Sequence, residues 1–429
     1  MKIIKATNPL WKKLKDKISP TNPLRLLYHK LKAILAALIY FFPSRHMICI
    51  GITGTNGKTT TANLVSLILD EEQRKNCLIS TTQFKINGQV EENNTKMTFP
   101  DPFRINSFLS RARRASCKFA IVEVTSHAIS QSRIWGIDFD VVVFTNLSHD
   151  HLDYHRDFDD YRRTKGRIFG NLEGKEGKTA ILNSRDSEFD FFNSFSVEER
   201  IGFGGEGDDL RAENIKLGDR SSDFNLVFGK QKVVVHLPMP GEFNIENALA
   251  ASGVAIKLGV DLELIATALK KSDQSNPGRM EFLPLSEDFD CLVDFAHTPD
   301  ALEKILEIFP REKIILVFGC TGNRDKSKRK IMGQIADSLA SRIVLTSDDP
   351  YDEDPISIIE QVKLGIRRSE GDNFWIEIDR KKAIKLALSK AKSADKVIIA
   401  GKGAEKFQVV KGKKIPHCDG DVVMETVGV

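Results

Sequence analysis

The chain has 429 residues, enough for two or three domains with cores of their own. Its apolar fraction of 41% and charged fraction of 28% exclude a disordered or fibrous chain. The net charge of +4 is small but uneven: residues 1–46 hold ten Lys/Arg against one acid, Asp16, so that segment carries +9 and the remainder is acidic.

Six scattered cysteines without a C-x-x-C pair exclude a zinc ribbon or disulfide framework and suit a reducing cytoplasm. In residues 1–46, Trp11–Ile18 is basic with apolar residues near helical spacing, and Leu31–Phe42 is apolar throughout except for Lys32. The second run is too short to span a bilayer. It also starts too late for a signal peptide and lacks a small-residue cleavage site. Two readings follow: a pair of helices packed on the next domain, or a basic amphipathic arm resting on an anionic membrane surface.

Met47–Ile50 reads as a buried strand, Gly51-Ile-Thr-Gly-Thr-Asn-Gly-Lys-Thr-Thr60 as a glycine-rich turn, and Thr61–Leu69 as a helix. Such a unit turns backbone N–H groups and a helix dipole toward an anion. Lys58 would reach the outer phosphates of a nucleoside triphosphate, and the Thr59 hydroxyl would bind Mg²⁺. The strict template wants glycine where Ile52 stands, so the loop is a variant. An ordinary βα turn is the plain alternative.

Farther along, Phe119–Val124 and Asp140–Thr145 are short apolar runs of the kind found in buried parallel strands. With the first strand they predict a doubly wound sheet, whose ligands sit at the carboxyl ends of strands. Glu123 and His151 fall at two such ends, which makes them candidate Mg²⁺ ligands beside Thr59. Asp159–Phe169 predicts a helix on which Lys165 reads as a surface lysine. Residues 171–236, with Thr179–Leu182 and Lys232–His236, extend the same domain. Asn244 and Asn247 read as caps of an alanine-rich helix.

The turn cluster Ser275-Asn-Pro-Gly-Arg279 marks a domain boundary. Beyond it, Asp290–Asp294, Lys313–Phe318, Arg342–Thr346 and Lys396–Ala400 predict four buried strands of a second α/β domain. Each ends in polar or glycine-rich residues, which places a polar site at the strand ends.

Together these segments resemble a known family. Thr53-Gly-Thr-Asn-Gly-Lys-Thr-Thr-Thr61, Glu123-Val-Thr-Ser-His127, Asn146–His155, Phe243-Asn-Ile-Glu-Asn247, Pro277-Gly-Arg-Met-Glu281, Val293–Asp300 and Gly322-Asn-Arg-Asp-Lys326 resemble the Mur ligases. Within them the resemblance is to the UDP-N-acetylmuramyl-tripeptide synthetase (MurE) branch, and it covers roughly residues 47–410, with the motifs in family order. After the basic helical arm read from residues 1–46, it implies a P-loop-type doubly wound central ATPase domain (47–276) and a Rossmann-like carboxyl-terminal α/β domain (277–429). It also implies an ATP- and Mg²⁺-dependent ligase, active as a monomer. Such an enzyme activates the carboxylate of a UDP-muramyl-peptide as an acyl phosphate, which the amine of a free amino acid then attacks.

The roles transfer by motif. Gly54, Thr55, Asn56, Gly57, Lys58, Thr59 and Thr60 would hold ATP, with Asn244, Asn247, Arg279 and Asp294. Thr59, Glu123, His151 and a carbamylated Lys165 would hold magnesium, a carbamate being an anionic oxygen ligand where a bare ammonium would repel the metal. Thr98, Asp101, Thr125, Gln131 and Arg133 match muramyl-peptide contacts. Arg324, Asp349, Tyr351, Gly401 and Glu405 match the amino-acid pocket.

Several positions depart from the pattern. Only 46 residues precede the ATPase domain, no uridine motif is visible, Phe99 and Ala404 replace a usual Thr and His, and Cys418–Val422 is atypical. In the amino-acid pocket Asp348-Asp-Pro-Tyr351 replaces Asp-Asn-Pro-Arg, and Asp348, Asp349, Asp352, Glu353 and Asp354 make the loop acidic. That charge predicts a basic amino acid such as lysine over diaminopimelate. A folylpolyglutamate-synthetase-like ligase and a non-catalytic ATP-binding subunit are the alternatives; the intact Lys58, Thr59, Glu123, His151 and Lys165 set speaks against the latter.

Overall fold

The computed structural model describes residues 21–93, 98–272 and 277–428. The Trp11–Ile18 helix expected from the sequence, and Ser275 and Asn276 of the boundary turn, lie outside the described residues.

Helix α1 (Pro23–Ile39) starts where the Asn22 side chain accepts from Leu24 N–H and Pro23 stands in the first turn. It packs through His29, Ala33, Ala36 and Ala37 against the central domain. The apolar run seen in the sequence is therefore only the second half of this helix. Strands β1 (Ile48–Thr53), β2 (Asn76–Ile79), β3 (Gln83–Ile86), β4 (Gln89–Glu92), β5 (Phe119–Glu123), β6 (Val141–Phe144), β7 (Thr179–Asn183), β8 (Glu199–Phe203), β9 (Leu210–Leu217), β10 (Ser222–Phe228) and β11 (Gln231–Leu237) form one sheet. Their order is β11-β10-β9-β8-β7-β6-β1-β5-β2-β3-β4. From β2 to β9 neighbouring strands are parallel, and antiparallel hairpins close both edges.

The central strands carry apolar side chains on both faces, so helices must cover both. On one side lie α2 (Lys58–Glu71), α7 (Glu242–Lys257) and α8 (Leu262–Leu269), packed through residues such as Leu64, Ile68, Leu249 and Ile265. On the other lie α3 (Pro102–Arg114), α4 (Ser126–Ser130), α5 (Phe158–Gly170) and α6 (Phe189–Asn193), contributing Phe108, Leu109, Ile168 and Phe192. β1 sits between β5 and β6, so its carboxyl end opens at the switch point of the sheet. Helix α2 begins at Lys58, one turn earlier than the sequence suggested.

A second sheet holds β12 (Glu281–Phe282), β13 (Asp290–Asp294), β14 (Ile314–Phe318), β15 (Arg342–Leu345), β16 (Phe374–Ile376) and β17 (Lys396–Ala400) in the order β12-β13-β17-β14-β15-β16. It is parallel except for β12. Around it stand α9 (Pro299–Leu306), α10 (Ser327–Leu339), α11 (Pro355–Lys363), α12 (Arg380–Lys390) and α13 (Asp419–Val427), and a hairpin of β18 (Phe407–Val410) and β19 (Lys413–Pro416) follows β17. All six cysteines are free thiols. Among the described residues no helix is long and apolar enough to cross a membrane.

Helix α13 is pinned by a charge pair removed from water. Arg380 donates to both oxygens of Asp419 at 2.8 and 2.7 Å, and both side chains are wholly buried. Removing one partner strands the other charge in the interior. Asp419→Ala should therefore cost about 3–5 kcal/mol in urea unfolding, and a loss below about 1 kcal/mol would contradict this account of the pair.

Candidate active site

The phosphate loop leaves β1 and closes on α2 at Gly57. Its φ of 79° is left-handed, and a Cβ there would lie 2.1 Å from the Asn247 Oδ1, so only glycine fits. No side chain caps α2, which leaves its first N–H groups for an anion. Lys58 donates to the carbonyls of Gly54 (2.9 Å) and Thr55 (2.6 Å). From α5, Lys165 donates to the same Gly54 carbonyl at 2.6 Å.

Lys165 is thus a buried residue beneath the loop rather than a surface lysine. Burial, and then the neighbouring Lys58 cation, hold its pKa well below the usual lysine range. Burial likewise lowers Lys58. Such a depressed ammonium is poised to lose its proton and act as a nucleophile.

The Thr59 hydroxyl donates to Glu123 Oε2 at 3.0 Å, and Glu123 also accepts from the Thr81 N–H (2.8 Å) and hydroxyl (3.1 Å). His151 sits at a left-handed backbone position, with Nε2 3.3 Å from an Asp150 oxygen. Burial would raise the Asp150 carboxyl, but His151, His297 and Lys328 outweigh it and hold it low. Thr59, Glu123, Asp150 and His151 all line one cavity of about 810 Å³ between the two sheets. Among the described residues no three His, Cys, Asp or Glu side chains gather as a ready-made cation site. A cation there would take a hydroxyl, a carboxylate and an imidazole, and complete its shell from phosphate oxygens or a carbamate.

The second sheet supplies the facing wall. Arg279 lies over the Phe295 ring with its carbon 4.4 Å from the centroid, and its Nη2 reaches Thr59 Oγ1 at 3.3 Å. Asn56 donates to Asp300 across the cleft at 2.6 Å. A side pocket of about 80 Å³ is lined by Asn56, Gly57, Thr60, Asn244, Asn247, Arg279 and Asp294. Asn244 and Asn247 do not cap α7: they are buried inside it, with Gly241 at the cap position. Asn244 donates to the Pro240 carbonyl at 2.8 Å. Asp294 accepts from Met280 and Ala296 N–H groups, both at 2.7 Å, and burial raises its carboxyl.

Of the residues matched to substrate contacts, Thr98, Thr125, Gln131, Arg133, Arg324 and Glu405 line the main cavity. Arg133 is oriented by the Phe99 carbonyl (2.9 Å) and Gln131 (2.6 Å). Asp101, Asp349, Tyr351 and Gly401 are not in its wall. Asp101 caps α3 and pairs with Lys32 of α1.

The acidic loop is not an unbalanced negative field. Asp348 and Asp349 are buried against Lys402 at 3.6 and 3.0 Å, and Asp352 accepts from Asn323 at 3.0 Å. Glu353 binds Arg329 and Lys326, and Asp354 caps α11. The attraction for a distal ammonium deduced from the sequence loses its premise. Tyr351 takes a left-handed conformation, bonded through its backbone to Val409 and Lys411.

Sequence reasoning did not single out Thr81, Asp150, His297 or Lys402, all of which the fold brings to the cleft or its supporting network. Asp150 and His297 each lie inside a quoted strand-end motif, and Lys402 lies in the glycine-rich residues that follow the Lys396–Ala400 strand. Thr81 had no such signal.

Burial in the cleft moves His297 down to about 4 and His151 to about 3, from 6.5. Between pH 6.5 and about 4 the unfolded chain binds protons at these rings that the folded chain refuses. Stability is therefore fullest above 6.5 and falls as pH drops. His297→Gln should flatten that slope in urea unfolding measured at pH 7 and pH 5; an unchanged slope would contradict the assignment.

Comparison with known proteins agrees with this geometry. Residues 52–255 match the Mur ligase middle domain, and residues 278–403 the Mur ligase glutamate ligase domain. A UDP-N-acetylmuramoyl-L-alanyl-D-glutamate--2,6-diaminopimelate ligase of Syntrophomonas wolfei is 37% identical over 397 residues, 92% of this chain and 81% of that protein. The solved structure of a ligase of the same name superposes with a TM-score of 0.62 at 30% identity, over 94% of this chain and 82% of that one. Mycobacterium tuberculosis folylpolyglutamate synthase superposes with a TM-score of 0.73 over 98% of both chains, but at 16% identity, which is a likeness of fold. Two matched domains in family order, and a relative aligned over nearly the whole chain, show that this protein belongs to the Mur ligase family.

Proposed function

We propose that this chain is an ATP-dependent ligase that adds an amino acid to UDP-N-acetylmuramoyl-L-alanyl-D-glutamate, the substrate named in its relatives. The observation that carries the reading is the single cavity in which Lys58, Thr59, Glu123 and His151 of one sheet face Arg279, Arg324 and Glu405 of the other. The arm (1–46), central domain (47–276) and carboxyl-terminal domain (277–429) act in it as one monomer. Six free thiols suit the cytoplasm, where the reaction is taken to run.

The chemistry requires two anions to meet, a carboxylate and a triphosphate. Lys58 and the open N–H groups of α2 would hold the phosphates, and Arg279 would reach them from the far wall. The side pocket with Asn244, Asn247 and Asp294 supports adenine recognition, since amides both donate and accept. Thr59, Glu123, His151 and a carbamate on Lys165 would hold magnesium, which when bound neutralises phosphate charge. Arg133 would grip the acceptor peptide. A substrate carboxylate oxygen attacks the γ-phosphorus and ADP leaves. The amine then attacks the acyl carbon and phosphate leaves. Walls from two domains exclude the water that would hydrolyse the acyl phosphate.

The amino acid is proposed to be a diamino acid. Diaminopimelate is the amino acid named in the relatives, and lysine shares its distal ammonium. A competition assay between the two decides which is used.

Lys58→Ala should lower acceptor-dependent ADP release by at least about 100-fold while the protein remains folded by circular dichroism; normal turnover in the folded variant would remove the catalytic reading. Stripping bicarbonate and CO₂ should lower activity reversibly. Crystals of active protein should show a carbamate on Lys165, and a bare amine there would count against it.

A further inference from the structure

Helix α1 presents two opposite faces. One is buried, with His29, Ala33, Ala36 and Ala37 against the central domain, and Ala37 approaches so closely that a Cβ on Gly136 would lie 2.8 Å from its own. The other face carries Leu24, Tyr28, Leu31, Leu35 and Leu38, with Leu27 and Ile39 beside them, every one more than half exposed. At the helical repeat of about 100° per residue these side chains span an arc of about 120°. Lys30 borders the arc on one side, and Arg25 and Lys32 border it on the other. Phe41, 80% exposed in the turn that follows, extends the apolar surface. No acidic residue lies in the helix.

A contiguous apolar face of this size on a soluble fold marks a contact surface. Charge selects its occupant. Residues 1–46 carry +9, so a second copy would set one strongly basic arm against another. A negatively charged lipid surface instead takes the leucines into its acyl boundary, while the exposed Lys30 beside the stripe reaches its headgroups. We infer that the exposed stripe of α1 docks this protein on an anionic lipid surface.

The docked helix is part of the enzyme body and not a loose tether. Lys32 pairs with Asp101, the cap of α3, and Ser44 Oγ donates to the Gly136 carbonyl at 3.0 Å. Through these contacts the arm holds the central domain at a fixed attitude to the surface it lies on. The inference is independent of the ligase reading, since none of the stripe residues lines the cleft.

The test is flotation of the full chain with vesicles of phosphatidylcholine alone, or mixed with phosphatidylglycerol, at low and high salt. The protein should partition into the mixed vesicles at least about tenfold better than into neutral ones, and less at high salt. Leu31→Glu/Leu35→Glu should cut that binding by about tenfold or more while thermal midpoint and ATP turnover stay unchanged. Indifference to anionic lipid would overturn the inference, as would full binding by the double variant. Sedimentation without vesicles, showing a dimer that the double variant dissolves, would assign the stripe to a second copy instead.

Discussion

Two ammonium groups donate to one carbonyl oxygen, that of Gly54, so the nitrogens of Lys58 and Lys165 lie no more than about 5.5 Å apart. At an effective dielectric near 20, two such charges repel by about 3 kcal/mol. The fold tolerates the pair because each is pushed toward neutrality and because Glu123 and Asp150 stand nearby. A triphosphate entering this pocket supplies the missing negative charge and draws Lys58 back to its ammonium form. Converting the Lys165 amine to a carbamate removes the repulsion and adds an anionic ligand. Phosphate binding and the proposed modification of Lys165 would both supply the negative charge this pocket lacks, and with it the oxygen ligands a magnesium ion needs.

Topology puts this shortage where a second body can reach it. β1 lies inside the large sheet with parallel neighbours on both sides, so its loop opens at a crevice. The second sheet sends Arg279 to Thr59 and Asp300 to Asn56 across that crevice. Those two contacts are polar, and Phe243 of α7 adds an apolar one by packing against the core of the second domain. The buried Arg380–Asp419 pair and the apolar clusters hold the second domain together, and Val293, Met280 and Ala296 of those clusters reach the cleft wall.

Much of this was legible in the sequence, because strand-end motifs keep their chemistry in contiguous residues. The loop from Gly51 to Thr60, Glu123, His151 and the two-domain α/β plan follow from short apolar runs and what stands at their ends. Lys165 was not legible from spacing, since its burial depends on how α5 crosses beneath the loop; only family resemblance marked it. Asn244 and Asn247 looked like caps because amides favour that position, yet Gly241 ends the preceding turn and begins the helix earlier. The acidic loop misled for a third reason. A run of carboxylates reads as a field until each partner is known, and Lys402, Arg329 and Asn323 come from other parts of the chain. The short edge strands β12 and β16 went unseen because two or three residues carry no period.

The account rests on the substrate carboxylate becoming an acyl phosphate in the cleft between the sheets. The direct measurement is oxygen transfer: UDP-N-acetylmuramoyl-L-alanyl-D-glutamate labelled with ¹⁸O in both glutamate carboxylates, turned over with ATP and diaminopimelate or lysine, and the phosphate analysed by mass. The account predicts one labelled oxygen in each phosphate released. Ligation that leaves the phosphate unlabelled would contradict it.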